Sequence, residues 1–158
     1  RNPDCKACPV KGICLAKRLG KQNELPVVGK NPAIPTRVKA AVVIRRGGNV
    51  LMTKRASGGM LGGMWEFPSV IIAKKSVLGV PSAIKSDYQF NITVKSRLTT
   101  LRHTYSHFKL TEHVFLCTLK SRGKLPVGCR WIPLDELGDF PMGKVDRLIA
   151  TFITDGNG

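Results

Sequence analysis

VKAAVVIRRGGNVLMT, residues 38–53, holds two apolar runs joined across Gly47-Gly48. The first run, Val38 to Ile44, is nearly continuous and rich in β-branched residues, as for a strand covered on both faces. The second runs from Val50 to Thr53. Glycine accepts the positive φ that a primed turn demands, so the pair reads as a β-hairpin. Downstream, SGGMLGG at 57–63 is a glycine-rich loop, and Met64-Trp65-Glu66-Phe67-Pro68 ends in a residue that breaks regular structure.

Further along, Ser82 to Phe90 reads as a helix. Leu98 to Thr104 and Lys109 to Leu119 read as strands flanking a tight turn near Tyr105-Ser106-His107. Arg130 to Pro133 is a short strand. Val145, Leu148, Ile149 and Phe152 fall at i, i+3, i+4 and i+7, which predicts one face of a closing helix. Strands and helices in this mixture define an α/β domain over residues 37–158. Upstream, residues 21–36 carry three prolines and little periodicity. That stretch reads as an extended linker, because proline disfavours the helical region for its predecessor. Residues 1–20 form a small cysteine-bearing unit with a short helix around Ile13 to Leu19 and a stop at Gly20.

The net charge is +16, and it is unevenly spread. Residues 37–110 carry thirteen basic and two acidic residues, whereas residues 111–158 carry six of each. Such a basic excess predicts a polyanionic partner, because each phosphate neutralised by Lys or Arg releases counterions. Arg45, Arg46, Lys54, Arg55, Arg102 and Lys109 are the candidate phosphate contacts, although a solvated face explains any one of them equally well. No apolar run approaches the ~20 residues that span a bilayer. Arg1-Asn2-Pro3-Asp4-Cys5 has no apolar core of a signal peptide and no starting Met. The expectation is a soluble intracellular monomer, and a fragment or processed chain.

Cys5-x2-Cys8-x5-Cys14 brings three thiolates within reach of one metal centre. Zinc and iron–sulfur both suit three thiolates, and both usually want a fourth ligand. None is near: the next histidine is His103. A chance cluster of reduced thiols is the plain alternative. Cys117 and Cys129 lie alone in strand-like surroundings and read as packing residues. An odd total of five argues against a disulfide framework.

The hairpin, the glycine-rich loop and Trp65-Glu66-Phe67-Pro68 resemble the opening of a Nudix fold, a mixed β-sheet flanked by helices. A Nudix hydrolase next needs a helix whose glutamates hold Mg²⁺. Here Asp87 is the one acidic residue between Phe67 and Thr100, amid Lys74, Lys75, Lys85, Lys95 and Arg97. Ser69 stands where the first glutamate of that motif would fall. One carboxylate among five cations predicts no such metal site and no pyrophosphohydrolase activity.

Cys-x2-Cys-Pro-x4-Cys is similar to the end of the four-cysteine [4Fe–4S] motif of helix-hairpin-helix DNA glycosylases. A Nudix-like domain without its metal box, following such a motif and a proline linker, resembles the C-terminal part of MutY-type adenine DNA glycosylases. Leu101 to Leu110 (LRHTYSHFKL) is similar to the family's segment around a Phe-Ser-His loop, with Tyr105 in place of the usual Phe. The resemblance covers essentially the whole chain. It implies that Tyr105, Ser106 and His107 read 8-oxoguanine in duplex DNA opposite adenine. It also implies that Cys5, Cys8 and Cys14 are three of four cluster ligands, with the first cysteine upstream of Arg1. The parent would be a cytoplasmic bacterial enzyme that hydrolyses the N-glycosidic bond of the mispaired adenine in base excision repair. The helical domain that performs this chemistry is not in the sequence, so the chain should recognise and hold DNA but cleave nothing alone. The competing reading is a non-catalytic Nudix-like module with a metal-binding cysteine loop, acting on nucleic acid or protein.

Overall fold

The structure is a computed structural model that describes residues 3–27, 29, 33–72, 77–120 and 125–156. The chain divides into two compact units, residues 1–33 and 34–158. The first carries one short helix, α1 (Leu15–Arg18), with Cys14 at its N-cap. Gly20 follows at φ 67°, a backbone conformation that glycine adopts at no steric cost. The rest of the proposed linker falls partly outside the described residues.

In the second unit the strands are β1 (Thr36–Arg46), β2 (Asn49–Lys54), β3 (Trp65–Glu66), β4 (Ser69–Ile71), β5 (Ile92–Thr104), β6 (Lys109–Leu119) and β7 (Cys129–Pro133). The helices are α2 (Val80–Tyr88) and α3 (Lys144–Thr154). The sheet runs β3-β2-β1-β6-β5, with β4 on β1 and β7 on β2. β1 and β6 are parallel, and every other pairing is antiparallel. This is the mixed sheet with helices on its two faces that an α/β reading requires.

β1 lies at the centre, which accounts for its unbroken apolar run. Ala40 to Ile44 are all buried. Ala40, Val42 and Ile44 join Val80 and Ile84 of α2 on one face. Ala41 and Val43 join Ile149, Ala150 and Ile153 of α3 on the other. The β1–β2 hairpin closes with Arg46 opposite Asn49 and Gly47 at φ 58°, as a two-residue primed turn demands.

Two element starts and one helix face differ most from expectation. α2 begins two residues before Ser82, since a proline is tolerated in the first helical turn. β5 begins at Ile92, well before Leu98; bulges at Val94/Ser96 and Arg97/Thr99 disrupt the alternation by which a strand is recognised. In α3 the buried stripe is Val145, Asp146, Ile149, Ala150 and Ile153, while Leu148 is 38% exposed. The expected face is thus rotated, because a buried carboxylate occupies a position that hydrophobicity alone assigns to solvent.

Candidate nucleic-acid interface

β5 and β6 pair from Ile92/Leu119 to Thr104/Lys109, leaving a four-residue connection, Tyr105 to Phe108. The Tyr105 N–H donates to the Phe108 carbonyl at 2.9 Å and closes it. The two end residues turn inward. Phe108 is buried with Leu110 and Val145. The half-buried Tyr105 ring lies 4.7 Å from Phe108 and meets His103 edge-on at 4.4 Å. The Arg37 guanidinium covers Phe108 at 4.4 Å. Aromatic pairs of this kind prefer offset or edge-to-face geometry. They pin both ends of the turn, so Ser106 and His107 stand exposed at its apex. Tyr105 is therefore an anchor as much as a surface group. Burial, then the nearby Asp146 and Glu112, raise its phenol above the ordinary value, so at neutral pH it stays protonated.

Beneath the turn, on the α3 side, lies a set of charges that sequence reading missed. Lys39 and Glu112 sit opposite each other on parallel strands, 3.8 Å apart. Arg55 reaches Glu66 at 2.6 Å and Asp146 at 4.0 Å. Asp146 also accepts the Phe67 N–H at 3.0 Å. Burial, reinforced by Glu112, pushes the Asp146 carboxyl up to about 7 against the pull of that N–H and of Arg55. Burial likewise raises Glu112, opposed by Lys39. A cavity of about 190 Å³ lies against this cluster, lined in part by Arg37, Lys39, Arg55, Tyr105 and Phe108. The available signal was Glu112 inside an apolar strand and Asp146 beside an apolar stripe. Neither has a sequence neighbour that pairs with it.

The candidate phosphate contacts divide in two. Arg45 donates to the Ile153 carbonyl at 2.8 Å, in the last turn of α3. Arg55 is held by Glu66 and by the Met60 carbonyl. These two cations serve the fold. Arg46 lies over Trp131 at 5.9 Å and keeps its surface position. Lys54, Arg102 and Lys109 are exposed. Lys74 and Lys75 lie outside the described residues.

At its C-terminal end the glycine-rich loop turns its amides on itself. The N–H groups of Gly62, Gly63 and Met64 donate to the carbonyls of Gly59, Arg55 and Leu61. A side chain at Gly62 would collide with the Ser57 carbonyl oxygen, so glycine is required there by close approach. Its hydrogen bonds close the loop on itself and hold Arg55 beside Glu66.

Cys5, Cys8 and Cys14 are partly buried free thiols. Among the described residues no three His, Cys, Asp or Glu side chains converge as a metal ion would need. The three thiols thus suit an iron–sulfur cluster in donor type and spacing, but not in their arrangement here. Cys117 is buried in the core, which pushes its thiol up to about 12 and keeps it unreactive. Cys129 packs against the same cluster. Of the other histidines, His113 is buried with Nδ1 2.9 Å from Thr100 Oγ1, a structural pairing. Among the described residues no helix is long and apolar enough to cross a membrane.

A hairpin-centred mixed sheet with a helix on each face is the architecture of a Nudix domain. The profile of the NUDIX domain matches residues 40–151, and the chain belongs to that family. Within it, the chain is similar to adenine DNA glycosylases. It is 25% identical to that of Arabidopsis thaliana over 150 residues, covering 77% of this chain and 24% of the relative. To the human enzyme it is 30% identical over 97 residues, covering 57% and 18%. The chain thus spans about a quarter or less of the length of these two relatives. Among solved structures, the C-terminal domain of mouse MUTYH, determined in complex with human PCNA, matches with a TM-score of 0.60 at 21% identity, over 76% of this chain and 88% of that one. The E. coli ORF135 protein matches with a TM-score of 0.64 at 16% identity, over 80% and 94%. These two likenesses establish the fold.

Proposed function

We propose that the chain is the lesion-reading portion of an adenine DNA glycosylase, acting on duplex DNA that carries 8-oxoguanine opposite adenine. The observation that carries this reading is the turn: Tyr105 and Phe108 are anchored and Ser106 and His107 are presented. 8-Oxoguanine differs from guanine by a carbonyl at C8 and a proton on N7. The Ser106 hydroxyl accepts from N7–H, and a backbone N–H at the turn donates to O8. Guanine offers N7 as an acceptor and has no C8 carbonyl, so the same groups mismatch it. His107 reaches a phosphate or braces the turn, and Tyr105 packs on the sugar. Lys54, Arg102 and Lys109, with Arg46, supply phosphate contacts.

Adenine removal belongs to a separate helical domain of the parent enzyme, and this portion alone cleaves nothing. Pyrophosphate hydrolysis is disfavoured as well, because Asp87 is the single acid of α2 and it is exposed. In the parent, Cys5, Cys8 and Cys14 serve as three thiolate ligands of a [4Fe–4S] cluster completed by a fourth upstream cysteine. Those three thiols would hold such a cluster only together with the upstream ligand, and it would then tie their backbone segments together. The protein acts in the bacterial cytoplasm as a monomer, associated with DNA.

Ser106→Ala in the full-length enzyme tests the reading. Discrimination between 8-oxoguanine and guanine opposite adenine is expected to fall by roughly tenfold, as for loss of a base-edge contact worth about 1–3 kcal/mol. Equal discrimination by variant and parent removes Ser106 from the reading role.

A further inference from the structure

The face of the β5–β6 ribbon turned toward the α2 side carries a second cavity, of about 370 Å³. Arg97 and Arg102 stand at it, with Thr100, Thr111 and His113 from the same two strands and Val38 of β1. Among the described residues no acidic side chain lines it. Register fixes this shared orientation: Thr100 lies opposite His113 and Arg102 opposite Thr111. Both arginines are exposed, and among the described residues neither makes an ion pair or side-chain hydrogen bond. That contrasts with Arg55 and Arg45, which the fold consumes.

Lys109 lies on the same face, opposite Thr104 at the last pair before the turn. Lys109, Arg102 and Arg97 therefore mark positions 109, 111 and 115 along β6. At a rise of about 3.4 Å per residue, the steps between them are roughly 7 and 14 Å. A single DNA strand places a phosphate about every 3.4 Å along the helix axis, so a few nucleotides of backbone cover that row. The row begins beside Ser106 and His107 and leads away from them.

We infer that this cavity is a phosphate site for the DNA backbone flanking the base at the turn, with Arg97 and Arg102 as its cations and the Thr111 hydroxyl as a neutral donor. The inference rests on the DNA-reading role of the turn. It adds Arg97 to the contact set and gives the backbone a direction, along the α2 side of β5 and β6. A phosphodiester suits the donor set: two guanidiniums present planar forks to its oxygens, and the Thr111 hydroxyl donates to a remaining acceptor site.

The test is the salt dependence of binding to a duplex with one 8-oxoguanine:adenine pair, followed by fluorescence anisotropy on the full chain. Each lost phosphate contact lowers the slope of log K against log salt by about 0.9. Arg97→Ala with Arg102→Ala is expected to lower it by about 1.8 while circular dichroism stays unchanged. Lys120→Ala, at the far end of the ribbon, is the control and leaves the slope as it was. A double variant with the parent's slope overturns the site. If Ser106→Ala still loses discrimination in that case, the reading role survives and only the backbone path fails. If the parent itself shows no salt dependence, the DNA-reading role fails with it. Thr100 and Thr111 amide shifts in nuclear magnetic resonance separate the sources of phosphate. Shifts with the duplex support the inference, and shifts with dGMP but not with duplex overturn it.

Discussion

The two sides of the β1–β6–β5 sheet each bring cations near the β5–β6 turn, and they use them in opposite ways. On the α3 side, Lys39 and Arg55 are partly buried and face Glu112, Glu66 and Asp146, while Arg37 lies over Phe108. On the α2 side, Arg97, Arg102 and Lys109 are exposed, and among the described residues none of them makes an ion pair. A charge taken out of water must be paired to be tolerated, so the first set is tied to the fold. An exposed charge with no partner costs the fold little and remains available to an external anion. Net charge alone does not separate these classes; burial and pairing do.

The sharpest way to break this contrast is Arg55→Ala. The variant leaves Glu66 and Asp146 facing each other without their cation. Both sides of the pair are partly solvated, so the loss lies between that of a surface and a buried pair, about 2 kcal/mol. Urea denaturation of the isolated chain measures it. A loss below about 0.5 kcal/mol, the range of ordinary surface substitutions, would place Arg55 in the same class as Arg97.

Asp146 gives the next test through pH. Its folded-state carboxyl titrates near 7, above its ordinary value of 3.8. A raised acid stabilises the fold while it is protonated, so that contribution is complete below about 4 and is lost as pH rises through about 7. Glu112 is shifted in the same direction. Stability should therefore decline across that window, and Asp146→Asn, which keeps an acceptor for the Phe67 N–H, should flatten the decline. A variant whose pH profile matches the parent's would mean that Asp146 stays ionised in the fold.

Arg45→Ala is expected to cost about 1 kcal/mol, as for a hydrogen bond to the Ile153 carbonyl. It should leave the salt slope of DNA binding unchanged. A lowered slope would return Arg45 to the phosphate contacts.

How much of this was legible depended on whether the signal was local. Val38 to Ile44, Gly47-Gly48 and the bounds of β6 follow from runs of residues that decide their own conformation. The start of β5 did not, because two bulges interrupt the period of two between Val94 and Thr99. The turn at Tyr105-Ser106-His107 was visible, but the division of labour within it was not. Phe108 anchors the turn through Arg37, which is distant in sequence. Lys39–Glu112 and Arg55–Glu66–Asp146 arise from strand register and helix docking, neither of which a single sequence displays. The sorting of the basic residues needed the same information: Arg45 and Lys54 look alike in the chain, and only the position of α3 tells them apart.

The smallest expected effect on stability comes from removing both Arg97 and Arg102. Each is exposed, and the described residues offer no acid to either. Truncation to alanine should change stability by no more than about 0.5 kcal/mol each. The sign can even be favourable, because the chain carries +16 and the two guanidiniums share one cavity. If so, moderate salt should stabilise the parent by screening that repulsion and should stabilise the double variant less. Thermal unfolding at low and moderate ionic strength reads both quantities. A loss above 1 kcal/mol would mean that these guanidiniums hold the fold as Arg55 does, and the two sides of the sheet would no longer differ in what their charges are for.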